Sequence, residues 1–130
     1  LGIAGQVRIL GLIDRGDQIQ LLRGADAVVH PSLFEGWSTV VEDARALGKT
    51  IVYSDIDVHL EQNPPHGVAF RAGDPVDLAR ALLRSRSGFG STAGTEREAQ
   101  AREQGAERLL RFGMGLVHLA RAAAAGRGAR

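Results

Sequence analysis

Cysteine is absent from the 130 residues, which excludes a disulfide framework and any thiolate metal site and agrees with a reducing compartment. Aromatic side chains are scarce, one Trp, one Tyr and four Phe. None is interleaved with arginines as a base-stacking surface requires, so nucleic acid is not indicated as a partner. No apolar run approaches the roughly 20 residues needed to span a bilayer, and no charged start followed by an apolar core marks a signal peptide. Acidic residues are missing beyond position 107, where Arg108, Arg111, Arg121, Arg127 and Arg130 carry the charge. That bias suits an anionic surface, although a solvated helix face with a basic tail accounts for it more simply.

What remains is the balance of an ordinary globular domain. The chain opens at Leu1 rather than Met and runs straight into a strand-like segment, so a piece of a larger protein is expected. Short apolar runs at 7–10, 27–30, 50–53 and 68–70 are bounded by turn signals, and the first three are rich in β-branched residues. They suit buried parallel strands. Helical stretches lie between them. Asp17 with Gln20 predicts a cap for a helix ending at Gly24. Thr39 with Glu42 predicts a second, stopped by Gly48, and Asp74 with Pro75 opens a third. Strand and helix alternate, which predicts an α/β fold with a Rossmann-like parallel sheet and flanking helices.

The glycine- and serine-rich stretch 86–94 is expected to be a flexible linker. A last helix is expected over 95–125, capped by Thr95 and Glu98 and weakened by Gly105, Gly113 and Gly115. A disordered tail is expected at 126–130.

Residues 30–56, HPSLFEGWSTVVEDARALGKTIVYSDI, are the most informative. A strand ends at His30, a loop follows and a capped helix begins, which is where open α/β sheets bind ligands. Gly36 lets backbone approach a ligand, and the N–H groups of Ser38, Thr39, Val40 and Val41 at the helix start suit a diphosphate. Glu35 and Asp43 bracket that anion site, and carboxylates accept hydrogen bonds from sugar or ribose hydroxyls. A Glu-Gly turn before a helix is common and carries no meaning alone. Trp37 lies beside the pocket, but a large aromatic there more often packs against protein.

The runs PSLFEGW, VVEDARALGK and SDIDVHLEQNP resemble the donor-binding region of glycosyltransferase family 4, whose members have the GT-B fold. The resemblance covers nearly the whole chain and implies the C-terminal half of a two-domain enzyme, with residues 1–85 as a partial nucleotide-sugar-binding domain. The family motif is Glu, seven residues, Glu. Glu35 matches the first position, whereas Asp43, one methylene shorter, stands at the second. By resemblance Glu35 is the catalytic-site carboxylate that holds hydroxyls of the donor sugar, the backbone from Trp37 to Val40 holds the diphosphate, and Asp43 holds the ribose. Glu42 competes for that last role, and Glu61 is a weaker candidate. The resemblance further implies retention of anomeric configuration, a nucleoside-diphosphate sugar as donor, no metal or other cofactor, and an acceptor held by a missing N-terminal domain onto which the last helix packs. A cytoplasmic enzyme of polysaccharide or glycoconjugate synthesis is expected, with room for peripheral contact at the inner face of a membrane.

Two further readings stand beside this one: a non-catalytic nucleotide-sugar-binding module, signalled by Asp43, and a related GT-B epimerase. Asp55 and Asp57 spell a short Asp-x-Asp, a weak metal signal because any acidic turn produces it. His30, His59, His66 and His118 lack ligand spacing, and His30 is expected to be hydrogen-bonded within the fold. The resemblance places two central strands of the complete domain outside this sequence. It therefore predicts an open edge at 27–30, a first strand without its neighbour, and no sugar transfer by the piece alone.

Overall fold

The computed structural model describes residues 2–89 and 93–127. Its elements in order are α1 (Arg15–Gly24), β1 (Val28–His30), α2 (Thr39–Ala46), β2 (Ile51–Ser54), α3 (Asp57–Gln62), β3 (Gly67–Phe70), α4 (Pro75–Ser85) and α5 (Ala93–Arg127), with 3-10 turns at Ala4–Gln6 and Arg86–Gly88. The strands form a parallel sheet in the order β1-β2-β3, registered by Val28 on Ile51 and Val52 on Val68.

The central strand explains the layering. All four residues of β2 are buried, as expected of a parallel strand covered on both faces. Ile51 and Tyr53 join Val28, Val41 and Ala44 in a core under α2, with Leu22 of α1 at its margin. Val52 points the other way, onto Phe70, Ala81 and the partly buried Leu78 and Leu82 of α4. This alternation is the period of two that a strand imposes. It yields a Rossmann-like α/β sandwich, as the sequence predicts.

The expected first strand does not form. Residues 7–10 join no strand pairing, with Ile9 and Leu10 exposed, so the sheet has three strands and the outer edge of β1 is unpaired among the described residues. A strand needs a partner for its N–H and C=O groups, and no described segment supplies one here. The caps shift as well. Asp14 rather than Asp17 caps α1, its Oδ1 accepting the Asp17 N–H at 2.8 Å. Ser38 rather than Thr39 caps α2, its Oγ accepting the Val41 N–H at 3.3 Å. Each true cap lies upstream of the expected one, because an Asp or Ser standing before the helix reaches the free amides first. Asp74 caps α4 as expected, accepting the N–H groups of Val76 and Asp77.

Helix α3, not foreseen, is a six-residue segment closed by Asn63 in the left-handed conformation and followed by Pro64. Helix α5 begins at Ala93, two residues ahead of the expected Thr95, and continues through Gly105, Gly113 and Gly115 to Arg127. Of the expected linker, 86–88 is a 3-10 turn and 90–92 lie outside the described residues; of the expected tail, so do 128–130.

The first turns of α5 dock on the body. Arg23 of α1 pairs with Glu98 at 2.9 Å, and Ala101 is buried. Hydrogen bonding from Arg23 outweighs partial burial and keeps the Glu98 carboxyl below its ordinary range. Gly48 makes that docking close. Its φ is +61°, and a Cβ there would meet the Arg97 carbonyl carbon at 2.5 Å. Gly48→Ala combines an unfavourable backbone conformation with this clash, so it should cost roughly 1–3 kcal/mol. Urea unfolding of wild type beside the variant checks this; an unchanged midpoint would mean that α5 does not approach Gly48 in the folded protein.

Candidate functional site

The loop from Pro31 to Trp37 leaves β1 at its carboxyl end and leads into α2. It is fastened from below. The Ser54 hydroxyl at the end of β2 donates to the Ser32 carbonyl, and the Ser32 hydroxyl donates to the Phe34 carbonyl at 3.1 Å. Leu33, Phe34, Glu35 and Gly36 then face Asp57 and Glu61 of α3 across an open cleft of about 560 Å³. Glu35, Gly36 and Glu61, three of the residues expected at the site, are thus brought to one cavity.

The Glu35 carboxylate is the centre of a compact cluster. The His30 ring donates from Nε2 to Oε1 at 2.5 Å, since a carboxylate only accepts, and the same nitrogen lies 3.0 Å from Ser38 Oγ. His59 Nε2 stands 3.9 Å from the other oxygen, Oε2. Burial raises the Glu35 pKa, but hydrogen bonding from Ser38, the charge and hydrogen bond of His30, and a bond from Ser32 together outweigh it, leaving the carboxyl below its ordinary value. The group is therefore held as an anion at neutral pH.

At the start of α2, Ser38 is tied down by Gln62 of α3. Its N–H donates to Gln62 Oε1 at 3.3 Å and its carbonyl accepts from Gln62 Nε2 at 2.9 Å. The Ser38 amide is thereby occupied, whereas Thr39 and Val40 stand in the first turn, where helix amides have no intrahelical acceptor. Glu42 does not serve as the capping partner of Thr39: its Oε1 accepts from Gln62 at 2.9 Å and from Arg45 at 3.0 Å. Trp37 is exposed and packs on neither core cluster.

Asp43 sits apart from the cleft lining. Both of its oxygens are engaged by Arg15 of α1, at 2.5 and 2.6 Å, and its side chain is 13% exposed against 59% for Arg15. The sequence offered no signal for this pairing, because the two residues are 28 positions apart and Arg15 belongs to no motif. The sequence gives Gln62 and His59 no role beyond their place in the SDIDVHLEQNP run, yet the Pro64-Pro65 pair just beyond them marks the end of a short helix.

His30, Glu35 and His59 are the one group of three metal-ligating side chains close enough to share an ion among the described residues. Their ligand atoms lie within 4.8 Å of one another, and the His30–Glu35 contact at 2.5 Å is shorter than an ordinary hydrogen bond. Asp55, of the short acidic motif, accepts the Ala72 N–H at 2.8 Å and so fastens the turn ahead of α4. No helix among the described residues is long and apolar enough to cross a membrane.

A three-stranded parallel sheet with flanking helices and a carboxylate-bearing loop at the carboxyl end of β1 is a Rossmann-like α/β arrangement. The family model for group 1 glycosyl transferases matches residues 1–86, and the chain belongs to that family. A search of curated proteins returns no match.

The depressed pKa of Glu35 carries a stability signature. A carboxylate whose folded value is lowered contributes stability above its unfolded pKa, about 4.3, and loses it as pH falls through the folded value. The stability gap between wild type and Glu35→Gln should therefore be full above about pH 5 and shrink on acidification. Urea unfolding at a series of pH values checks this, and a gap independent of pH would contradict the depressed value.

Proposed function

We propose that this chain binds the donor in a GT-B glycosyltransferase that transfers sugar from a nucleoside-diphosphate sugar to an acceptor hydroxyl with anomeric configuration retained. In that reaction the bond from the sugar C1 to the diphosphate oxygen breaks and a bond from C1 to the acceptor oxygen forms. The acceptor proton and the nucleoside diphosphate are released. The observation that carries the reading is Glu35, an anion held by His30 at the rim of the cleft and next to the α2 N-terminus.

Glu35 accepts hydrogen bonds from hydroxyls of the donor sugar, and the first-turn amides of α2, together with the Gly36 and Trp37 backbone, take the diphosphate. Asp43 takes the ribose, with Glu42 less suited because Arg45 and Gln62 already engage it. Glu61, across the cleft from Glu35, adds a polar contact on the sugar side. No metal is required in this reading. Residues 1–85 form the donor-binding unit, and α5 carries the chain onward. Its exposed Leu109, Leu110, Phe112, Leu116 and Val117 suit packing on an acceptor-binding domain. The acceptor is a sugar or glycoconjugate of a cell-surface pathway, and the setting is cytoplasmic.

A non-catalytic binding module is the second reading, favoured by one observation. Arg15 engages both Asp43 oxygens, so ribose hydroxyls must share or displace it.

The test is mass-spectrometric detection of sugar transfer by the full-length protein from a panel of nucleotide sugars, with Glu35→Ala and Asp43→Ala alongside. Glu35→Ala should lower kcat/KM about 10- to 100-fold, the worth of one or two charge-assisted hydrogen bonds, and Asp43→Ala should lower it less. Transfer unaffected by either change would place the site elsewhere, and nucleotide binding without turnover in wild type would favour the second reading.

A further inference from the structure

His59 is fully buried, and its Nε2 is the one buried side-chain polar atom among the described residues without a hydrogen-bond partner. An unpaired polar atom in a packed interior is costly, so its setting calls for a physical account. The other ring nitrogen supplies the first part of it. His59 Nδ1 stands 2.9 Å from the Ser54 carbonyl, and a carbonyl only accepts, so Nδ1 carries the ring hydrogen. In the neutral ring Nε2 is then a bare lone pair. An imidazole that gives one N–H to a backbone carbonyl and leaves its other nitrogen free is held as metal-ligating histidines are held.

What faces that lone pair is a second acceptor. Glu35 Oε2 lies 3.9 Å away, too long for a hydrogen bond but within the span of two ligands each about 2.0–2.2 Å from one ion. Two acceptors set opposite each other call for a cation between them. His30 completes the set, since one ligand atom from each of His30, Glu35 and His59 lies within 4.8 Å of the others. The cluster reaches solvent through Glu35 and His30, whose side chains are 22% and 16% exposed. Glu35 also borders the cleft shared with Asp57 and Glu61, and no Lys or Arg lines that cleft among the described residues, so its field draws cations towards the cluster.

We propose that His30, Glu35 and His59 form a three-ligand site for a divalent transition-metal ion of the Zn2+ type, with solvent completing the coordination. Two imidazoles and one carboxylate suit Zn2+ better than Mg2+ or Ca2+, which favour oxygen ligands. Binding exchanges a proton for the ion: the hydrogen held between His30 Nε2 and Glu35 Oε1 leaves to solvent, and the 2.5 Å contact opens around the metal. The ion takes no part in sugar transfer. A second consequence rests on the donor-site reading of Glu35: the ion occupies the carboxylate that the sugar hydroxyls need, so metal and donor exclude each other.

The test uses full-length protein freed of metal by chelation. Equilibrium dialysis against Zn2+ should load one ion with micromolar or tighter affinity, and Glu35→Gln, which keeps the size of the side chain, should weaken that loading at least tenfold. In wild type carrying 15N-labelled histidine, Zn2+ should shift the Nε2 signals of His30 and His59 while His59 Nδ1 keeps the signal of an N–H group. This readout needs no substitution of a buried residue, so it decides the matter even if a variant folds poorly. Zn2+ that leaves both Nε2 signals in place, or loading indifferent to Glu35→Gln, overturns the proposal and leaves the donor reading standing. In transfer assays Zn2+ at ten times its Kd should raise the apparent donor KM about tenfold and leave kcat unchanged, as mass action requires of two ligands competing for one carboxylate. If the ring signals shift and Glu35→Gln loses the ion, yet Zn2+ leaves the donor KM unchanged, the metal site stands and the placement of the donor at Glu35 fails.

Discussion

Ser54, the last residue of β2, makes two bonds on which the whole site depends. Its hydroxyl donates to the Ser32 carbonyl and holds the β1–α2 loop, and its carbonyl accepts from His59 Nδ1 and holds the first turn of α3. A single buried residue thereby fixes both walls of the cleft. It can do so because β2 has nowhere to move: β1 and β3 flank it, and its side chains are sealed on one face under α2 and on the other under α4. Packing of this density transmits a displacement of one element to its neighbours rather than absorbing it. The position of Glu35 is consequently a property of the sheet as much as of its own loop.

The α/β class, three of the four expected strands and the start of α4 could be read from local sequence, because each depends on neighbours in the chain. An apolar run bounded by turns and an Asp-Pro pair are local signals, and β1, β2, β3 and α4 lie where those signals put them. Residues 7–10 carry the same β-branched signal and form no strand, since pairing requires a partner that propensity cannot provide. Cap positions slipped by one to three residues because Asp14 and Asp17, or Ser38 and Thr39, offer the same chemistry, and only the chain direction before the helix selects between them. At the site, Glu35 and Gly36 were legible from the loop-helix pattern. The groups that hold them were not: Gln62 reaches Ser38 across 24 positions, and Ser54 reaches His59 by a bond between side chain and backbone. Such contacts exist only once the sheet has brought the ends of its strands together.

Helix α5 divides into two environments. From Arg97 to Ala101 it is joined to the body by the close approach at Gly48 and by the Arg23–Glu98 pair. Beyond Gly105 its large apolar side chains face outward. Its polar and apolar residues are not segregated to opposite sides over the full length, so amphipathic packing on this domain cannot account for the whole helix. The anchored turns give the remainder a fixed point of departure, and they do so beside α2, the helix whose N-terminus borders the cleft.

Glu35, in the loop ahead of α2, and Asp43, within α2, are held in opposite ways, and this difference bears on how an anionic ligand could be received. Asp43 is matched by Arg15, whose guanidinium is largely solvent-facing, so that carboxylate is neutralised by a mobile, strongly cationic side chain. Glu35 accepts from the His30 ring in a partly buried cluster, and its side chain is 22% exposed. A diphosphate at the α2 N-terminus would stand between them. It would be repelled by an uncompensated carboxylate on either side at close range, by a few kcal/mol in a setting with an effective dielectric constant near 20. Pairing each carboxylate with a cation or an N–H donor removes most of that repulsion while leaving lone pairs for hydroxyl groups. The two carboxylates thus each have their own partner, one in a partly buried cluster and one largely exposed.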